Sequence, residues 1–296
     1  MNVPLSSPWI DESDEQAVLR VLRSDHLSLG PRVPEFEDGL AHVAHVAHGV
    51  AVNSGTSALH LIVRALGLGD GDEVITTPFS FIASSNCLLF ERIRPVFVDI
   101  RDDTYNIDTT RIEAALTSRT RGILAVDAFG QPAELDIIED IAHRNHLRVI
   151  EDSCESLGSE WKERRCGGWG DAATFGFYPN KQITTGEGGC IVTNSDEIDR
   201  LARSMRNQGR GETDDWLGHE RLGYNYRLPD INCALGSSQL ARLDTIIERR
   251  ARVAGWYSSR LARSRDVVVP WIAPEVTRMS WFVYVIRLAD SFSMSD

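Results

Sequence analysis

The sequence predicts an α/β fold whose main sheet is mostly parallel, and three patterns carry that prediction. Short apolar runs (EVITT, RPVFVDI, GILAVDA, LRVIED) alternate with stretches of helical period, which requires crossover helices and a sheet covered on both faces. The run GVAVNSGTSALHLIVRAL passes from strand to amphipathic helix through one turn, 53–57. Residues 172–194, AATFGFYPNKQITTGEGGCIVTN, read as strand, Tyr-Pro-Asn turn, glycine-rich segment and strand, with Lys181 presented on the turn.

Each element has a local reason. Residues 14–23 form a helix that the Gly and Pro residues of SLGPRVP end, and a second helix starts near Glu35. That helix carries AHVAHVAH, where His42 and His45 share a face, but no carboxylate or Cys completes a metal set with them. The helix after the 53–57 turn starts near Ala58, and Gly67 to Gly71 read as a connecting loop. Helices follow at 84–90, from Thr110, and at 135–144, each after a strand. A long amphipathic helix spans 232–261, followed by apolar strands in DVVVP and SWFVYVIRL that lack covering helices before the sequence ends.

Composition excludes several classes. With 296 residues, 42% hydrophobic and 25% charged, the chain suits one large domain and a smaller one. The net charge of −12 and the absence of a basic run argue against nucleic acid as partner. No apolar run is long enough to span a bilayer, and MNVPLSSPWIDESDE has neither the basic flank nor the apolar core of a signal peptide, so a cytoplasmic protein is expected. Cys87, Cys154, Cys166, Cys190 and Cys233 are odd in number and unpaired in spacing, as expected of reduced thiols.

In a parallel sheet the reactive groups gather at the carboxyl ends of the strands. Asp127, Asp152 and the TPFSF loop, with Phe79 and Phe81, stand there; either aspartate could equally cap the next helix. The 53–57 turn aims free N–H groups and hydroxyls at one spot and is either an anion cradle or an ordinary N-cap. A lysine whose amine is desolvated can attack a carbonyl. Together, an anion cradle, an aromatic ring, a strand-end carboxylate and a turn lysine are what pyridoxal phosphate needs.

The segments NSGTSALHL, VITTPFSFIASSN, FGQPAELD, VIEDSCESLGS, DAATFGFYPNKQITTGEGG, MRNQGRGE and LGYNYRLPDINCALGSSQL occur in an order that resembles the DegT/DnrJ/EryC1/StrS family of sugar aminotransferases. The resemblance runs from about Leu5 to Leu288. It implies an aspartate-aminotransferase-like, fold type I architecture: a three-layer large domain with a mainly parallel seven-stranded sheet, here 1–245, and a smaller C-terminal α/β domain, here 246–296 and truncated. It implies pyridoxal 5'-phosphate as cofactor, no metal, and a homodimer with shared active sites. By position, Lys181 would be the Schiff-base lysine, Asp152 the partner of the pyridine nitrogen, and Phe81 the stacking ring. Gly55, Thr56 and Ser57 would hold the phosphate, and Asn225 would reach across to the neighbouring subunit's cofactor.

Three departures accompany the resemblance. Glu155 stands where the family often has Gln or His, and facing a phenolic oxygen it should be protonated or turned away. Gly176 replaces a serine that often contacts phosphate, and relatives usually continue several dozen residues further. The function implied is transfer of an amino group, from glutamate, to a keto group of a nucleotide-linked deoxy sugar for a polysaccharide or glycan. Arg206, Arg210 or Arg227 would meet the diphosphate, unless they serve surface ion pairs. Two alternatives are a sugar dehydratase, which Lys181 disfavours because those relatives carry His, and a silent or regulatory subunit.

Overall fold

The computed structural model describes residues 6–211 and 218–289. Expectations that rest on the first five residues, on the end of MRNQGRGE, or on the closing DSFSMSD lie outside the described residues. The helices are α1 (Glu12–Leu22), α2 (Arg32–Ala44), α3 (Gly55–Ala65), α4 (Ala83–Leu89), α5 (Leu135–Arg144), α6 (Asp196–Arg206), α7 (Asp230–Leu240) and α8 (Leu243–Leu261). The strands are β1 (His48–Val52), β2 (Glu73–Thr76), β3 (Arg94–Phe97), β4 (Thr120–Val126), β5 (Arg148–Asp152), β6 (Glu160–Trp161), β7 (Arg164–Arg165), β8 (Ala172–Gly176), β9 (Gly189–Thr193), β10 (Val267–Val268), β11 (Val276–Arg278) and β12 (Arg287–Leu288).

Seven strands form the main sheet in the order β1-β9-β8-β5-β4-β2-β3, with β9 alone opposed in direction to its neighbours. Alternation along each strand divides its side chains between two cores. Val50, Val52, Leu124, Val126 and Ile191 face α3, α4 and α6 through Leu59, Ile62, Leu88 and Ala202. On the other face, Ala51, Phe175 and Val192 meet Phe36 and Leu40 of α2 and Ile246 and Ile247 of α8, while Ile123 and Ala125 meet Ile138 of α5. The predicted layering is present, and every parallel strand delivers its carboxyl end to the same edge. Two small sheets, β11-β6-β7 and β10-β12, lie outside it.

Several elements differ from expectation, each for a physical reason. The helix expected to carry AHVAHVAH stops at Ala44; His45 takes a left-handed φ of 56° as its C-cap, and His48 opens β1, with Nε2 2.7 Å from Asp196 Oδ1. The histidines therefore do not share a helix face. The helix from Thr110 becomes two 3₁₀ turns, Thr109–Arg111 and Glu113–Ala115, because Asp108 Oδ1 caps Thr110 N–H and Thr109 Oγ1 is drawn to Glu134. The long C-terminal helix is broken between α7 and α8, where the Arg242 guanidinium turns back to Asp11 and Asp14. SWFVYV is not a strand: Tyr284 stacks on both Trp281 and Tyr257 of α8 instead. Among the described residues no helix is long and apolar enough to cross a membrane.

Beneath the carboxyl edge lies a buried pair of carboxyl groups. Asp127 accepts from Ser153 Oγ at 3.1 Å, Ser156 Oγ at 2.7 Å and Ala133 N at 2.9 Å, so its role is to tie loops rather than to face solvent. Glu151 accepts from Gly167 N and Trp169 N. Burial, and then the neighbouring charge of Asp127, push the Glu151 carboxyl well above its usual range, and burial lifts Asp127 as well, so the pair retains a proton that exposed carboxyls would release. The unfolded chain releases that proton near pH ~4.3 while the folded chain retains it, so stability falls as pH rises above that value. Glu151→Gln should flatten this fall in a series of urea melts taken across pH; an unchanged slope would assign the proton elsewhere.

Candidate active site

Five strand ends converge on one cavity of about 800 Å³. From β1 come Ser54, Gly55 and Thr56; from β2, Phe79 and Phe81; from β4, Phe129; from β5, Asp152, Cys154 and Glu155; from β8, Tyr178, Asn180 and Lys181. Of the expected site residues, Gly55, Thr56, Phe81, Asp152, Glu155 and Lys181 line it, and Ser57 and Asn225 do not.

Lys181 owes its position to a tight turn. Its N–H donates to Tyr178 O at 2.9 Å, and Pro179 supplies the fixed φ that the second position of such a turn favours. The side chain is only 15% exposed, which sets it apart from a solvated surface lysine. The amine stands 3.5 Å from Glu155 Oε1 and 4.1 Å from the centroid of the Phe282 ring. The chain has only one other lysine, Lys162, which is exposed and bonded to Asp136 at 2.6 Å; that bond raises its pKa. Of the two amines, Lys181 alone faces the cavity.

Asp152 ends β5 with its Oδ2 accepting from Ser84 Oγ at 2.7 Å and its Oδ1 from Cys154 N at 3.3 Å. Glu155 is not turned away: Phe129 N donates to its Oε2 at 2.8 Å while Oε1 faces Lys181. Burial lifts the Glu155 carboxyl above its ordinary range, Asp152 adds to the rise, and Lys181 and the Phe129 amide pull the other way. Phe129 holds a left-handed φ of 60°, uncommon for a bulky side chain, and the Glu155 carboxyl secures that turn.

At the opposite side, Ser54 caps α3 by accepting from Ser57 N at 3.1 Å, and Ser57 Oγ donates to Asn53 Oδ1 at 2.7 Å. Ser57 therefore builds the cap and lies beside the cavity rather than on it. Gly55 and Thr56, the first residues of α3, have no carbonyl one turn back to bond, so their N–H groups remain for an anion. A side chain at Gly55 would collide with Cys154 Sγ, its Cβ falling 2.8 Å away. Asn180 Oδ1 is buried without a partner, a polar atom that a ligand in the cavity would satisfy. An anion cradle, an aromatic wall, a carboxylate and a lysine amine in one cavity fit pyridoxal phosphate in donor set and in size.

The arginines expected to meet a diphosphate do not line this cavity. Arg206 is spent on the buried Glu37 carboxylate and on Ala51 O, and Arg227 donates to Asn207 Oδ1. A carboxylate as buried as Glu37 needs that guanidinium. Asn225 lies on the Asn207–Asn225 bridge, its carbonyl 3.4 Å from Asn53 Nδ2. Sequence reasoning missed Ser84, Cys154, Phe282 and Arg250. Of these only Ser84 left a trace, its spacing of four from Ser80 in the TPFSF loop; their hydroxyls lie 2.7 Å apart.

Residues 8–296 match the model of the DegT/DnrJ/EryC1/StrS aminotransferase family. The chain is 38% identical over 293 residues to the GDP-perosamine synthase of Caulobacter vibrioides, a match covering 98% of this chain and 78% of the relative. The Helicobacter pylori PseC aminotransferase, involved in pseudaminic acid biosynthesis, superposes with a TM-score of 0.92 at 33% identity, covering 98% of this chain and 78% of PseC. DesV of S. venezuelae superposes at 0.89 with 35% identity, over 94% of this chain and 74% of that one.

The Gly176 departure has a local cause. A Cβ there would sit 3.2 Å from Cys154 Sγ and 3.5 Å from its Cβ, so a serine would need the thiol to give way by a few tenths of an ångström. Gly176→Ser alone should destabilise the fold by about 1–3 kcal/mol, and adding Cys154→Ala should recover most of that loss. Thermal melts of the three variants check this; a single Gly176→Ser chain as stable as the parent would show that the thiol does not set the space.

Proposed function

This chain belongs to the DegT/DnrJ/EryC1/StrS aminotransferase family and is a pyridoxal phosphate-dependent sugar aminotransferase of glycan biosynthesis, and from that premise we propose that it moves an amino group from glutamate to the keto group of a nucleotide-linked deoxy sugar. The observation that carries the reading is the desolvated Lys181 amine, held on its turn opposite Asp152 and the free N–H groups of α3.

Pyridoxal phosphate, when bound, supplies the carbonyl that takes and returns the amino group and the ring that accepts the electrons of the broken carbon–hydrogen bond. The protein's residues do the rest. Lys181 would anchor the cofactor through its amine and then move the proton beside the transferred nitrogen. Asp152, fixed by Ser84 and Cys154 N–H, would pair with the pyridine nitrogen, and Gly55 and Thr56 would take the phosphate on their N–H groups. Phe81 would cover the ring, and Glu155, raised in pKa by burial, would be the carboxyl offered to the phenolic oxygen. The test is incubation with isotope-labelled glutamate nitrogen and a keto-deoxy sugar linked to GDP or UDP. The label should enter the sugar with the parent chain and not with Lys181→Ala. A folded, cofactor-loaded chain that leaves every such sugar unlabelled would overturn the reading.

We also propose that the active chain is a homodimer in the cytoplasm, its large domain being 1–245. Phe81 is 75% exposed and Ile82 59%, an apolar surface at the cavity mouth that a second copy would cover. Asn225 lies outside its own cavity, as a residue reaching a neighbour's phosphate must, and among the described residues no arginine lines the cavity. Lys181→Ala and Asn225→Ala should each be inactive alone. Their mixture, re-equilibrated from dissociated subunits, should regain on the order of a quarter of parent activity, because each mixed pair holds one intact site. No regain would show that the sites are not shared.

A further inference from the structure

Arg250 of α8 lies behind the catalytic turn. It is half-buried, and that burial lowers its pKa from the usual guanidinium range; among the described residues no carboxylate forms an ion pair with it. Its hydrogen bonds instead end on backbone carbonyls: Nη2 donates to Lys181 O at 2.7 Å, and Nη1 to Trp281 O at 3.0 Å and Phe282 O at 2.9 Å. A guanidinium partly withdrawn from water without a paired anion is costly, and the three carbonyls offset that cost.

The segment it holds is strained. Trp281 has a φ of 55°, unfavourable for a bulky side chain, and the segment is pinned just before it by Ser280 N donating to Ser159 Oγ and Gln182 Nε2 donating to Ser280 Oγ. Gly130, at φ +94°, lets this backbone approach closely: a Cβ there would lie 2.9 Å from Phe282 N and 3.0 Å from Glu155 O. The outcome is that the Phe282 ring sits 4.1 Å below the Lys181 amine, which Glu155 faces from the other loop.

We propose that Arg250 is a positioning residue, its guanidinium joining the carbonyls of Lys181, Trp281 and Phe282 so that the Phe282 ring is set against the Lys181 amine. This rests on Lys181 being the reactive amine, but the test reads the amine directly and needs no cofactor. The whole chain is treated with a limiting amount of an amine-acylating reagent, and modification of Lys181 is measured by peptide mass relative to Lys162, the other lysine. Parent Lys181 is shielded by the ring and by its contact with Glu155. Arg250→Met should raise the Lys181-to-Lys162 ratio about three-fold, the scale of a lost cation–π contact.

Phe282→Ala should raise the ratio to the same extent, and the double variant should go no further than Phe282→Ala alone, because both changes remove one contact. Arg250→Lys, which keeps the charge but cannot reach three carbonyls, should give an intermediate ratio and carries the test if Arg250→Met does not fold. A ratio unchanged in folded Arg250→Met or Arg250→Lys, with only thermal stability reduced, would make Arg250 structural and overturn the proposal, as would additivity in the double variant. Failure of Lys181 to take up pyridoxal phosphate would sink the functional reading and leave these ratios standing.

Discussion

The buried contact between Asp127 and Glu151 is the constraint on which the catalytic edge depends. Strand alternation places Glu151 inward and its neighbour Asp152 toward the cavity, so one dipeptide serves the core and the site at once. Asp127 draws in Ser153 and Ser156 from the loop after β5 and Ala133 from the loop after β4. Glu151 gathers Gly167 and Trp169. Without these bonds the loops carrying Phe129, Cys154 and Glu155 would have no common reference, since loops gain little order from propensity alone.

From that base the cavity is a consequence of sheet topology. Strands that run in one direction bring their following loops to one edge, and the order of the sheet puts the β1 and β5 loops on either side of the lysine turn. What distinguishes Lys181 is the work done around it. A turn closed by Tyr178 and Pro179, a carboxyl raised by burial, and an aromatic ring from beyond α8 all converge on one amine. Lys162, the other lysine, lies half exposed at the surface, bonded to Asp136 and 5.9 Å from the Trp161 ring, and among the described residues no buried carboxyl pairs with it.

Much of this was legible in the sequence because it depends on local chemistry. The strand-to-helix turn at 53–57, the Pro-containing lysine turn and the acidic end of β5 are set by residues adjacent in the chain, and the resemblance to a family rests on those same segments. Spacing alone does not separate the strand-end aspartates Asp127 and Asp152, because either could cap a helix, and it is the family resemblance that assigns Asp152; the local pattern cannot show which strands are neighbours. Long-range contacts left little mark. Nothing in IIERRARV separates Arg250 from Arg249 or Arg252, and nothing in SWFVYV shows that its aromatics pack irregularly against α8 instead of pairing as a strand. Arg206 looked available because a sequence cannot show that Glu37, far away along the chain, is buried beside it.

The most direct test of the account is chemical trapping of the cofactor bond. The chain would be loaded with pyridoxal phosphate, reduced with borohydride so that the carbon–nitrogen bond becomes permanent, digested and mapped by mass. The account predicts one modified peptide, carrying the adduct on Lys181 and leaving Lys162 free. An adduct on Lys162, or equal labelling of both lysines, would contradict the assignment of the catalytic amine and with it the reading of the cavity.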